Sequence, residues 1–78
     1  MKLPVLSGTD VVKLLSKAGF SFLSQEGSHV ILLNEVGGKK LKPVVPMHKE
    51  IFAGTLVSII KQAGMSRNEF MELYEKYG

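Results

Sequence analysis

Apolar residues along the chain change their spacing in a way that marks out elements. Val11, Leu14, Leu15 and Ala18 recur at the i, i+3, i+4, i+7 interval of a helix that buries one stripe, while Asp10, Lys13, Ser16 and Lys17 fall on the opposite side. Ser7 is a fitting N-cap for this helix, with Asp10 three residues on as the acid of a capping box, and Gly19 ends it. Residues 20–33 then hold two runs rich in Phe, Val, Ile and Leu on either side of Gly27-Ser28, the pattern of a β-hairpin whose type II′ turn takes its positive φ from Gly27. That register sets Glu26 opposite His29, Ser24 opposite Ile31 and Phe22 opposite Leu33, all on one face.

After the hairpin, Gly37-Gly38-Lys39-Lys40 is a flexible turn into a third strand over 41–45. Pro43 within it has no N–H for a ladder and belongs on an edge or at a bulge. Residues 46–53 show no clean period and read as a connecting loop. A second helix opens at Gly54-Thr55, with Thr55 as its cap, buries Leu56, Ile59, Ile60 and Ala63, and closes at Gly64. Ser66 and Glu69 form a second capping box for a last helix, whose stripe is Phe70, Leu73, Tyr74 and Tyr77. The expected order is αβββαα: an α+β fold in which three helices bury their stripes on a three-stranded antiparallel sheet, as one domain over 1–78.

Composition narrows the setting. A chain of 78 residues without cysteine has no disulfide framework and no thiolate metal site, and a reducing cytoplasm is its natural location. The first six residues are too short for a leader's apolar region, and no later run approaches a membrane span. Ten Lys and Arg against seven Asp and Glu give only +3, but the charge is segregated. Lys39, Lys40, Lys42, His48 and Lys49 occupy positions 38–49 without a carboxylate, whereas Glu69, Glu72 and Glu75 crowd the last helix.

The candidate chemistry is carried by two histidines. His29, fixed by strand pairing at the rim of a sheet and facing Glu26, is either an ordinary strand residue or a general acid or base whose tautomer and charged form Glu26 favours. His48 is either a solvated loop side chain or a second proton-transfer group or phosphate contact. Two histidines without cysteines or suitably spaced carboxylates make a poor metal site, so no metal or other cofactor is expected. The lysines of 39–49 are either a solvated loop or a phosphate-contacting patch. Phe70, Tyr74 and Tyr77 stand at helical spacing and read as core rather than as base-stacking platforms.

Gly27-Ser28-His29, then Val45-Pro46-Met47-His48, then Gly54-Thr55-Leu56 leading into Ile59-Ile60-Lys61-Gln62-Ala63-Gly64, and finally Ser66 with Glu69-Phe70, occur in an order that resembles the HicA toxin family over nearly the whole chain. The resemblance implies a fold like the double-stranded RNA-binding domain, with helices on one face of a three-stranded antiparallel sheet. It also implies ribosome-independent cleavage of messenger RNA, neutralised by a HicB-type antitoxin that covers the active site. The histidine of the family's Gly-Ser-His motif falls on His29, with Ser28 beside it. Many relatives carry a polar residue directly after that histidine, where this chain has Val30, but in a strand that side chain points to the other face.

The resulting expectation is a cytoplasmic, metal-independent endoribonuclease, a monomer when free and a hetero-oligomer with its antitoxin. RNA would lie along Ser28, Lys39, Lys40, Lys42 and Lys49, the lysines meeting its phosphates, and His29 would move a proton during attack of a ribose 2′-hydroxyl on its own phosphate. His48 or Glu26 would serve as the second group. Two rivals share the sequence features: a non-catalytic RNA-binding module of the same fold, and a domain that only docks a protein partner.

Overall fold

A computed structural model describes residues 3–78; Met1 and Lys2, the start of the stretch read as too short for a leader, lie outside the described residues. Helix α1 (Gly8–Lys17) is followed by strands β1 (Ser21–Glu26), β2 (His29–Val36), β3 (Lys39–Leu41) and β4 (Val44–Pro46), then by helices α2 (Ala53–Gln62) and α3 (Arg67–Tyr77). The fold is α+β with an antiparallel sheet of four strands, compatible with the layout of a double-stranded RNA-binding domain.

Both expected capping boxes form. The Ser7 hydroxyl accepts the Asp10 N–H at 3.1 Å while the Asp10 carboxylate accepts the Ser7 N–H at 3.2 Å. At the start of α3 the Ser66 hydroxyl accepts the Glu69 N–H at 3.1 Å and the Glu69 carboxylate accepts the Ser66 N–H at 2.9 Å. Each box satisfies backbone donors that a helix start leaves without intrahelical partners. The second helix departs from expectation. It begins at Ala53 with Phe52 in the cap position and no side-chain cap, so Thr55 sits inside the first turn. The cause lies upstream: Ile51, read as part of a loop, is buried and donates its N–H to the Leu6 carbonyl at 2.6 Å in an isolated bridge. That bridge fixes where the chain turns into the helix, and the tertiary contact overrides the local cap signal.

Strand β2 is the centre of the sheet. On one side it pairs with β1 as Glu26–His29, Gln25–Val30 and Ser24–Ile31, which is the expected register, but an irregularity between Phe22 and Ser24 then shifts the pairing. Phe22 therefore meets Leu32, and Ser21 meets Leu33; the expected Phe22–Leu33 pair does not form. An extra residue at a bulge moves everything beyond it to the other face.

On its other side β2 pairs first with β4 (His29–Pro46, Val30–Val45, Ile31–Val44) and then with β3 (Asn34–Leu41, Glu35–Lys40, Val36–Lys39) in one uninterrupted count. The third strand expected over 41–45 is thus longer and split at Lys42-Pro43. Pro43 has no N–H to give the ladder, although its carbonyl still accepts the Leu32 N–H at 3.1 Å. Pro43 lies on an edge, as its chemistry requires, and the neighbouring outward N–H of Val44 is satisfied at 2.8 Å by the Gln62 side-chain oxygen at the end of α2.

Alternation along β2 decides what the sheet shows to each side. Val30 and Leu32 are buried with Val45 against Val11, Leu14 and Leu15 of α1, Leu56, Ile59 and Ile60 of α2 and Phe70 of α3, whereas His29 is exposed. No polar residue is buried among the described residues. Tyr77, expected in the stripe of α3, is 47% exposed. Its ring instead lies under the ammonium groups of Lys17 at 5.5 Å and Lys76 at 5.4 Å.

Candidate active site

Gly27 has φ +58° and Ser28 stays out of the positive region, the combination that a type II′ turn demands. The turn delivers His29 as the first residue of β2, opposite Glu26 on β1 and opposite Pro46 on β4. Because β2 is central, the His29 backbone is held from both sides while its side chain is exposed.

Two further backbone hydrogen bonds shape the segment that follows β4. The Met47 N–H donates to the Ser28 carbonyl at 2.6 Å, and the His48 carbonyl accepts the Gly8 N–H at 2.9 Å. His48 is thereby fixed between the start of β2 and the start of α1. Its ring faces that of His29 edge-on, with centroids 6.4 Å apart and planes inclined at 66°. Two exposed imidazoles, 19 positions apart in sequence (48 minus 29), are neighbours in space.

Of the other residues singled out from the sequence, Glu26 is next to His29 in register and Ser28 supplies the carbonyl that holds Met47. Lys49 directly follows His48 and is exposed. The remaining lysines do not gather there. Continuing the β2 pairing sets Lys42 beside Leu33, about 13 Å along the strand from His29, and Lys40 beside Glu35, about 20 Å away, with Lys39 one residue farther. The lysine cluster of the sequence is thus drawn out along one sheet edge, with Lys49 at the histidine end and Lys39 at the far end.

The site is open. A surface hollow of about 340 Å³ lies between α1 and α3, lined by Leu6, Asp10, Lys13, Leu14, Tyr74 and Tyr77, and neither histidine borders it. A pair of exposed imidazoles on a sheet rim suits a group presented by a large, extended ligand better than a small molecule, which would bury most of its surface in a cavity. Among the described residues no three His, Cys, Asp or Glu side chains come together in a way that would hold a metal ion. No helix among the described residues is long and apolar enough to cross a membrane.

The nearness of His48 to His29 had a signal in the sequence. Gly37 and Gly38, at φ +58° and +79°, form a two-residue turn with Val36 opposite Lys39, and counting outward from that pair brings Pro46 opposite His29. The part played by Gly8 had none, since a Ser-Gly pair ahead of a helix reads only as a helix start.

Compared with known proteins, residues 8–65 match the sequence pattern of a family described as the HicA toxin of bacterial toxin-antitoxin. No curated protein and no solved structure matches the chain.

Proposed function

The chain belongs to the HicA family of toxins from bacterial toxin–antitoxin systems, and from that premise we propose that it is an endoribonuclease that cuts messenger RNA with a pair of histidines and without a metal. The observation that carries this reading is the 6.4 Å approach of the His29 and His48 rings on an exposed rim. Cleavage of an RNA phosphodiester by its own ribose needs two proton transfers at neighbouring oxygens. One imidazole takes the proton from the 2′-hydroxyl as that oxygen bonds to the adjacent phosphorus; the bond from phosphorus to the 5′-oxygen breaks, and the other imidazole protonates the departing oxygen. The products are a 2′,3′-cyclic phosphate and a free 5′-hydroxyl. The geometry favours His48 over Glu26 as the partner of His29. Both rings are exposed and face one another, whereas Glu26 stands beside His29 on the far arm of the turn, where it can orient that ring.

Substrate positioning falls to phosphate contacts. Lys49 is next to His48 in the chain, and Lys42 lies farther along the same edge, so an RNA strand running from the turn along β4 meets cations without any base being read. Membership of a toxin–antitoxin family implies an antitoxin partner, which we assign to the HicB type, acting in the cytoplasm by covering the rim around His29 on an otherwise monomeric toxin. The test is to incubate the purified protein with a single-stranded RNA in EDTA. The expected result is cleavage leaving cyclic phosphate ends, lost in His29→Ala while RNA retention persists. Retention without cleavage by the wild type would instead support a non-catalytic RNA-binding module, and undiminished cleavage by His29→Ala would remove the histidine mechanism.

A further inference from the structure

Gly8 is the first residue of α1 and is buried against Pro46 and Met47, in the segment that carries His48. A Cβ there would meet the Pro46 carbonyl oxygen at less than contact distance, the Met47 Cα at 2.7 Å and the Met47 sulfur at 3.1 Å. The first two are backbone atoms, which cannot swing aside as a side-chain tip would. The φ of Gly8 is not in the positive region, so this glycine is required for space rather than for conformation. The same residue donates its N–H to the His48 carbonyl, while Met47 donates to the Ser28 carbonyl immediately before His29. One short segment is thus pinned to the strand that bears one imidazole and to the helix start that supports the other.

We infer that Gly8 is a positioning residue for the two-histidine site: its lack of a side chain lets the start of α1 close on Pro46–Met47 and hold the His48 ring against His29. A methyl group at position 8 has two outcomes. Either α1 withdraws and the Gly8–His48 hydrogen bond is lost, or the 46–48 segment is pushed away from α1 and shifts the His48 ring relative to His29. Both change the separation on which paired proton transfer depends, and a displacement of about 1 Å in a catalytic group costs up to about a hundred-fold in rate.

This inference rests on the nuclease reading of the same site, so it is tested by one readout that uses RNA and one that does not. In kinetics, Gly8→Ala is expected to lower kcat by roughly ten- to a hundred-fold with KM within about two-fold, because RNA binding by phosphate contacts is retained. In a His48→Ala background the same substitution should cost nothing further, since the group it positions is gone. Equal losses in both backgrounds would overturn the inference. In NMR, cross-relaxation between the two imidazole rings is expected in the wild type and should disappear in folded Gly8→Ala; its persistence there together with an unchanged kcat would overturn it as well.

Should Gly8→Ala fail to fold, Ser7→Ala and Ser66→Ala replace it. Both remove the serine of a capping box and cost comparable stability, but only Ser7→Ala loosens the helix start that holds His48. Only that variant should weaken the ring-to-ring signal and activity, and equal behaviour of the two would sink the inference. A wild type that shows the ring contact yet leaves RNA intact would defeat the nuclease reading alone.

Discussion

The two turns that bound β2 begin alike and end differently. Gly27 and Gly37 both sit at φ +58°, and a Cβ on either would meet nothing within 4 Å. At the Gly37–Gly38 turn the chain simply reverses, and Val36–Lys39 and Glu35–Lys40 follow as an ordinary ladder with exposed side chains. At the Gly27–Ser28 turn the strand end is engaged from three directions: Glu26 across the hairpin, Pro46 across β4, and Met47 on the Ser28 carbonyl, with Gly8 holding the next residue. The first turn residue is alike in the two, and the second differs, with Gly38 at φ +79° where Ser28 stays out of the positive region. What distinguishes a site from a loop here is the number of separate segments that converge on the backbone, because only that convergence holds two ionisable rings at a set distance.

The largest difference should appear when the imidazoles themselves are removed. His29→Ala and His48→Ala are each expected to lose about a hundred- to ten-thousand-fold in cleavage while RNA retention changes little, as for groups that move protons in the transition state. Glu26→Gln should cost far less, within about a few-fold, if its part is orientation alone. The pH–rate curve gives a further check. A mechanism needing one ring neutral and one charged passes through a maximum, and His48→Ala should flatten one limb of it. If His48→Ala keeps full activity while Glu26→Gln loses it, the partner has been assigned to the wrong side of β2.

A smaller effect should separate the turns by function. Replacing Gly27 or Gly37 by Ala forces a side chain into a positive φ with no clash around it, a cost of at least about 1–2 kcal/mol. Thermal or urea unfolding should show a loss of stability in both variants. Cleavage should fall only for Gly27→Ala, whose strain is relieved by shifting Ser28 and with it the carbonyl that anchors Met47. Equal activity in both would mean that the site tolerates movement of the turn and that convergence matters less than argued.

The sequence made one of these ends far more legible than the other levels of the fold. The stripes of α1 and α2, the two capping boxes and the Gly27 turn rest on neighbours within four residues and are found as their spacing implies, whereas α3 buries Phe70 and Met71 and leaves Leu73 and Tyr74 only partly covered. The shifted pairing at Phe22, the uncapped start of α2 and the position of His48 depend on residues far apart in the chain. Thr55 looked like a cap because nothing local reveals that Ile51 is tied to Leu6. Tyr77 continues the α3 stripe by number, yet it is exposed and its ring lies under the ammonium groups of Lys17 and Lys76. For the site, the Gly-Ser-His turn is readable from composition, whereas the second imidazole required carrying the strand register through Gly37–Gly38 and past Pro43.

The subtlest contrast concerns the lysines, and it tests whether the two ends of β2 serve one substrate. Lys49 adjoins His48, Lys42 lies partway along the edge, and Lys39 and Lys40 lie at the Gly37–Gly38 end. At physiological ionic strength charges are screened beyond about 8 Å, so a lysine contributes to binding only where the RNA passes next to it. If RNA enters at the histidines and leaves along β4, Lys49→Gln and Lys42→Gln should each reduce the salt dependence of binding by about 0.7 in log–log slope, the value for one single-strand phosphate contact. Lys39→Gln should leave that slope unchanged. Equal reductions at Lys39 and Lys49 would show a strand of RNA spanning the full edge, and the far turn would then belong to the binding surface rather than stand apart from it.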